Sequence, residues 1–282
     1  MSCYKLVKKG TPDADLKRIN FKLGVPEYSF ESILSSDLWP VNVAVRPFRF
    51  FRENIARSSN SLAEPASNDR KSIKIYFHNA SGLRTKSEDM RLLSSQLDYD
   101  VFVIIETWLN EKIFDAEFFD LNRYDVFRKD RDAVKTGCCR GGGMLIASRC
   151  ELQASSVALK CTDSMLDQLC VRLKGASGLL YLCASYIPPA SEDCIYCTHV
   201  DNIIALQSEI SAHQLCVLGD FNLSNITWTY FHNNMYLTPS NISSNTESYL
   251  VDNLLRIDLP QVNGFSNSLN QILDLIFVSD NI

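Results

Sequence analysis

From residue 73 onward the sequence keeps returning to short apolar runs of strand length, each closing on or containing a polar residue. Lys74–His78 leads to Asn79, Val101–Ile105 to Glu106, and Leu182–Ser185 to Tyr186. Leu215–Leu218 leads through Gly219 to Asp220 and, past Phe221, to Asn222, while Gln271–Val278 carries Asp274. Runs of this length, rich in β-branched and aromatic residues, predict strands at 73–77, 101–105, 142–147, 168–173, 179–187, 214–218 and 272–278. Helical spacing predicts helices at 87–97, with Met90, Leu92, Leu93 and Leu97 on its apolar side, and at 201–210. Strands outnumber helices, which favours an α+β class: a two-layer β-sandwich flanked by helices, rather than a doubly wound sheet. No phosphate-binding loop at nucleotide spacing occurs. The run Gly141-Gly142-Gly143 has no Lys and enters a strand, where its simplest role is close backbone approach.

Strand ends from one sheet can share a rim, and that gives the polar residues their interest. Side chains alternate along an extended backbone, so Asp220 and Asn222 point one way and Phe221 the other, into a core. The competing explanation is a turn in which Asp and Asn bond their own backbone, and for any one residue it is equally good. Five such strands are harder to explain as turns. The chemistry that fits is phosphodiester hydrolysis with a hard divalent ion, magnesium or manganese, on oxygen ligands such as Glu106. A carboxylate such as Asp220 takes a proton from water, and Asn or Tyr donors hold the phosphate. No Gly-x-Ser-x-Gly elbow occurs, and none of His78, His199, His213 and His232 has an evident nucleophile beside it.

Charge is distributed unevenly. The total is −5, but residues 1–57 hold ten Lys or Arg against six acids, a net of +4 that leaves −9 for the remainder. An acidic body disfavours indiscriminate adhesion to nucleic acid, whereas the basic segment offers it a surface or is an ordinary solvated face. Residues 58–71, polar and without apolar periodicity, are expected to link that small segment to a domain over 72–282. Within the first segment, alternation from Val41 to Phe51 predicts a strand. Neither a signal-like leader nor a run of membrane-spanning length occurs, so an intracellular, membrane-free protein with its ten cysteines reduced is expected. Cys194, Cys197 and His199 lack the fourth ligand a structural zinc needs.

Over roughly Ser72 to Ile282 the chain resembles the endonuclease/exonuclease/phosphatase superfamily, and within it the apurinic-type endonuclease domain of non-LTR retrotransposons. The resemblance rests on "FHNASGLRTK", "IIETWL", "RGGGMLIA", "SYIPP", "GDFN" followed by Trp228, and "LDLIFVS", in that order. It implies metal binding by Glu106 with Asn79, contact of Tyr186 with the scissile phosphate, water activation and phosphate positioning by Asp220 and Asn222, and Asp274 orienting a catalytic His. It further implies a magnesium-dependent nuclease, nuclear where active, that nicks DNA to prime reverse transcription. The His belongs to a "Ser-Asp-His" strand of the family that the sequence does not contain. The domain is therefore expected to be incomplete at its carboxyl end, with its last core strand missing, one sheet edge unpaired and activity impaired. The alternative is a non-catalytic nucleic-acid-binding protein or an inert transposon relic. Residues 33–48 weakly resemble the end of a gag-like transposon protein, which would make RNA a partner of the amino-terminal segment.

Overall fold

The computed structural model describes residues 2–6, 20–24, 72–131, 141–161, 166–175, 178–210, 213–230 and 236–279. The strand expected at 41–51 and the linker at 58–71 lie outside them. The chain divides into two compact units, Met1–Ala66 and Ser67–Ile282, a boundary that falls inside the segment read as a linker. In the first unit β1 (Ser2–Leu6) pairs antiparallel with β2 (Asn20–Gly24).

The second unit is built around two facing sheets. In the first sheet β3 (Ile75–Asn79) runs parallel to β4 (Val101–Ile105), and β5 (Tyr124–Lys129) and β6 (Met144–Arg149) complete the order β3-β4-β6-β5. The second sheet begins with β7 (Ser155–Val157), β8 (Asp167–Gly175), β9 (Gly178–Tyr186) and β10 (Gln214–Asp220). A hairpin of β11 (Thr227–Tyr230) and β12 (Leu237–Ser240) follows, then β13 (Asp274–Val278), giving the order β13-β10-β9-β8-β7. Among the described residues three α-helices flank the sheets: α1 (Ser87–Gln96), α2 (Asp193–Ile210) and α3 (Asn245–Arg256).

Three apolar clusters follow from strand alternation. Val101, Val103 and Ile105 of β4 meet Val171, Leu182, Ala184 and Leu218 between the sheets. Phe102 and Ile104 point the other way, to Met90 of α1 and to Phe118, Phe119 and Tyr124. Every residue of β4 is therefore buried, which is why it reads as an unbroken apolar run. On the outer face of the second sheet, Val217, Phe221 and Leu275 pack against Val200 and Ile203 of α2 and Leu250 and Leu254 of α3.

The expected sandwich is present, with several local differences. Helix α2 begins at Asp193 rather than Asp201, so the Cys194–His199 stretch is helical: Cys194 is exposed, whereas His199 is buried against Gln168 and Ser185 of the sheet. Strands β5, β7, β11 and β12 and helix α3 were not anticipated, although α3 carries a legible capping box. Ser244 Oγ accepts from the Glu247 N–H at 3.1 Å and Glu247 accepts from the Ser244 N–H at 3.2 Å. The cysteines are not all reduced: Cys170 and Cys183, directly opposed on β8 and β9, form a disulfide. The β13 edge of the second sheet carries further backbone bonds. The Val262 N–H donates to the Ile276 carbonyl at 2.8 Å, the Val278 N–H to the Pro260 carbonyl at 3.2 Å, and the Leu237 N–H of β12 to the Gln261 carbonyl at 2.8 Å. Residues 260–262 thus bridge β13 to the hairpin and shield the edge. In the first sheet, β3 has β4 on one side and no other strand partner among the described residues.

Candidate active site

Register puts four polar residues in one row across the second sheet. Asp167 opens β8 opposite Tyr186, which ends β9; Tyr186 lies beside Asp220, which ends β10; Asp220 lies opposite Asp274, which opens β13. Directly opposed residues share a face. This face is the inter-sheet one, since Ala184, Leu218 and Ile276, two residues away along β9, β10 and β13, lie in the inter-sheet cluster. Asp274 reaches the rim at the start of its strand because β13 runs antiparallel to β10. On the opposing sheet Asn79 continues the inward face of Ile75 and Phe77, and Glu106 follows β4 directly. The mouth of the sandwich is thus polar from both sides.

Side-chain contacts close across that mouth. Asn79 Nδ2 donates to Asp220 Oδ2 at 3.2 Å, joining the two sheets, while Asn79 Oδ1 accepts from the Ser81 N–H at 3.1 Å. The Tyr186 hydroxyl faces the Glu106 carboxylate, which accepts from the Trp108 indole N–H. Asp220 Oδ1 accepts from the Asn222 N–H at 3.2 Å, and Asn222 Nδ2 donates to the Ile187 carbonyl at 2.9 Å. The turn reading of "GDFN" is therefore realised, and it is realised at the polar mouth. Strand β10 ends at Asp220, and Asn222 takes its place through a left-handed backbone (φ 52°) rather than through strand alternation. Phe221 is fully buried, as alternation requires. Glu106 and Trp108 are left-handed as well (φ 55° and 53°), so three strained non-glycine residues, at roughly 1 kcal/mol or more each, cluster at this rim.

Burial sets the electrostatics. Asp220 is 8% exposed, and desolvation together with the charge of Asp274 lifts its carboxyl to about 6 despite the bonds from Asn222 and Asn79. Desolvation also raises Asp274. Tyr186 is held well above the usual phenol range, first by burial and then by Glu106. All six residues singled out from the sequence meet at the mouth. No trio of His, Cys, Asp or Glu side chains able to hold a metal occurs among the described residues. The donors present are hard oxygens, and magnesium takes only one or two carboxylates while keeping several waters, so the residues fit that ion.

Asp167 and Arg131 were missed in the sequence. Asp167 is fully buried and pairs with Arg131, whose guanidinium carbon lies 5.5 Å from the centroid of the Tyr186 ring. The only signal for Asp167 was a charged residue opening an apolar strand; for Arg131 there was none.

No family model and no curated protein matches the chain by sequence. Solved structures do match by fold. The endonuclease domain of TRAS1, a telomere-specific non-LTR retrotransposon, is 10% identical, with a TM-score of 0.51 over 74% of this chain and 86% of that one. An AP endonuclease from Leishmania major is 13% identical, with a TM-score of 0.54 over 74% and 79%. A 3′-5′ exonuclease from Neisseria meningitidis is 16% identical, with a TM-score of 0.51 over 74% and 88%. The chain has the fold of the endonuclease/exonuclease/phosphatase proteins. No helix among the described residues is long and apolar enough to cross a membrane.

Proposed function

We propose that this chain is a magnesium-dependent phosphodiesterase that nicks DNA, of the kind that exposes a 3′ hydroxyl to prime reverse transcription. The observation that carries the reading is the Asn79–Asp220 hydrogen bond, which brings the polar ends of both sheets to one mouth. Glu106, with Asn79 in its shell, would hold the ion, which when bound would polarise a phosphoryl oxygen. Asp220 Oδ2 takes the proton of an attacking water. A carboxyl poised at about 6 is largely ionised at neutral pH yet basic enough to accept that proton. The Asn79 NH2 aims Asp220 through its hydrogen bond, and the Tyr186 hydroxyl, turning from Glu106, donates to a phosphate oxygen. Asn222, pinned by Ile187, places its amide beside the same phosphate. Asp274 keeps Asp220 basic through its charge. The order of the sequence motifs supports the retrotransposon-type substrate, and the TRAS1 endonuclease domain shares the fold.

The test is nicking of supercoiled plasmid with magnesium, followed by polymerase extension from the nick. The chain should nick and leave an extendable end. Asp220→Ala should lower the rate by about 10²- to 10⁴-fold, the usual worth of a positioned general base. If the wild-type chain binds the plasmid but leaves it supercoiled, as Asp220→Ala does, the protein is the non-catalytic nucleic-acid binder instead.

A further inference from the structure

We propose that Arg131 is a positioning residue that fixes the Tyr186 phenol at the mouth, through a chain of contacts that ties it to Asp167 and to the backbone after Glu106. Arg131 lies two residues beyond β5, and its guanidinium pairs with Asp167 Oδ2. The same oxygen accepts from the Gly143 N–H at 2.9 Å. The Thr107 N–H donates to the Gly143 carbonyl at 3.1 Å and the Trp108 N–H to the Gly142 carbonyl at 3.0 Å, so the backbone after Glu106 is tied to the glycine run. The Tyr186 ring lies under Arg131, with its hydroxyl facing Glu106.

The glycine run makes this possible. A Cβ on Gly142 would stand 2.0 Å from Arg131 Cζ, 2.1 Å from Nε and 2.3 Å from Nη2, so the flat guanidinium lies against the bare α-carbon. A Cβ on Gly143 would stand 2.8 Å from Thr107 Oγ1. The close backbone approach expected from three glycines is thus an approach to Arg131 and Thr107. A planar cation suits the position because it can pair with a carboxylate in its plane while presenting a face to an aromatic ring. A lysine would keep the charge that buried Asp167 requires but not the face.

The catalytic half of this inference rests on the nuclease reading above; the structural half does not. Arg131→Lys should fold, lower the kcat of plasmid nicking by about 10- to 10²-fold through misplacement of Tyr186, and leave KM unchanged. In a Tyr186→Phe background, which has no hydroxyl to place, Arg131→Lys should cost nothing further. Gly142→Ala, which displaces the guanidinium by a different route, should reproduce the Arg131→Lys profile. An Arg131→Lys protein that nicks like wild type, or that loses the same factor in both backgrounds, overturns the proposal. If the wild-type chain does not nick, the nuclease reading falls, and thermal unfolding alone decides. Arg131→Lys should then lower the melting temperature more in the wild type than in a Tyr186→Leu background, and equal shifts overturn the proposal.

Discussion

Asp220 is the residue on which sequence, geometry and electrostatics converge, and its carboxyl makes the site costly. Its folded value of about 6 lies above the ordinary 3.8, so between those values the native state binds more protons than the unfolded chain. Stability from this group is fully present below about pH 4 and is lost as pH rises through about 6. At 1.36 kcal/mol per unit the loss is of order 1–3 kcal/mol. Asp274→Asn removes one of the two causes that raise Asp220, together with a carboxyl that is itself raised, so the decline should flatten. Urea unfolding at pH 4 and pH 7 measures it. A variant whose stability falls as steeply as the wild type's would show that the Asp220–Asp274 repulsion is negligible. The same residue shows how far sequence reaches. "GDFN" announced a polar rim after a strand, but nothing in it revealed that Asn222 would leave the strand with φ 52°.

At the scale of the element, the rim depends on β9 and β10 lying side by side in parallel, so that Tyr186 and Asp220 end together. Gly219 allows this. A Cβ there would stand 1.9 Å from the Ser185 carbonyl oxygen, and backbone cannot swing aside as a long side chain can. Gly219→Ala should therefore destabilise the protein by at least ~2 kcal/mol, measured by chemical denaturation, and blunt any nicking by moving Asp220. A variant of unchanged stability would mean that the strands separate freely at this point. Elements were legible where one periodicity dominated: β4 as an unbroken apolar run, β10 as an apolar run ending on Gly-Asp. Strand β5 was missed because Tyr124–Lys129 mixes charges with apolar residues at a sheet edge. The hairpin was missed because each of its strands spans only four residues.

For the whole molecule, the three apolar clusters draw only on residues between Ile73 and Val278 among those described. The unit Ser67–Ile282 thus carries its own core, and 216 residues suffice to bury one. A protein comprising 67–282 should unfold cooperatively at a temperature within a few degrees of the full chain's. A large drop in calorimetry would show that the first unit contributes to the sandwich. The shielding of β13 by residues 260–262 belongs to this scale too, because it joins segments that the sequence keeps apart.

The sequence by itself determined the class of the fold and strands β3, β4, β6, β8, β9, β10 and β13, and it put Asn79, Glu106, Tyr186, Asp220, Asn222 and Asp274 at or near strand ends, because strand period and the polar residue closing a run are local properties. Tertiary structure alone decided that Asp167 completes the row, that Arg131 lies over Tyr186 and against Gly142, and that Cys170 meets Cys183. Those facts depend on which strands become neighbours and on the facing of two sheets, and both are set by packing between segments far apart in the chain, which no local pattern encodes.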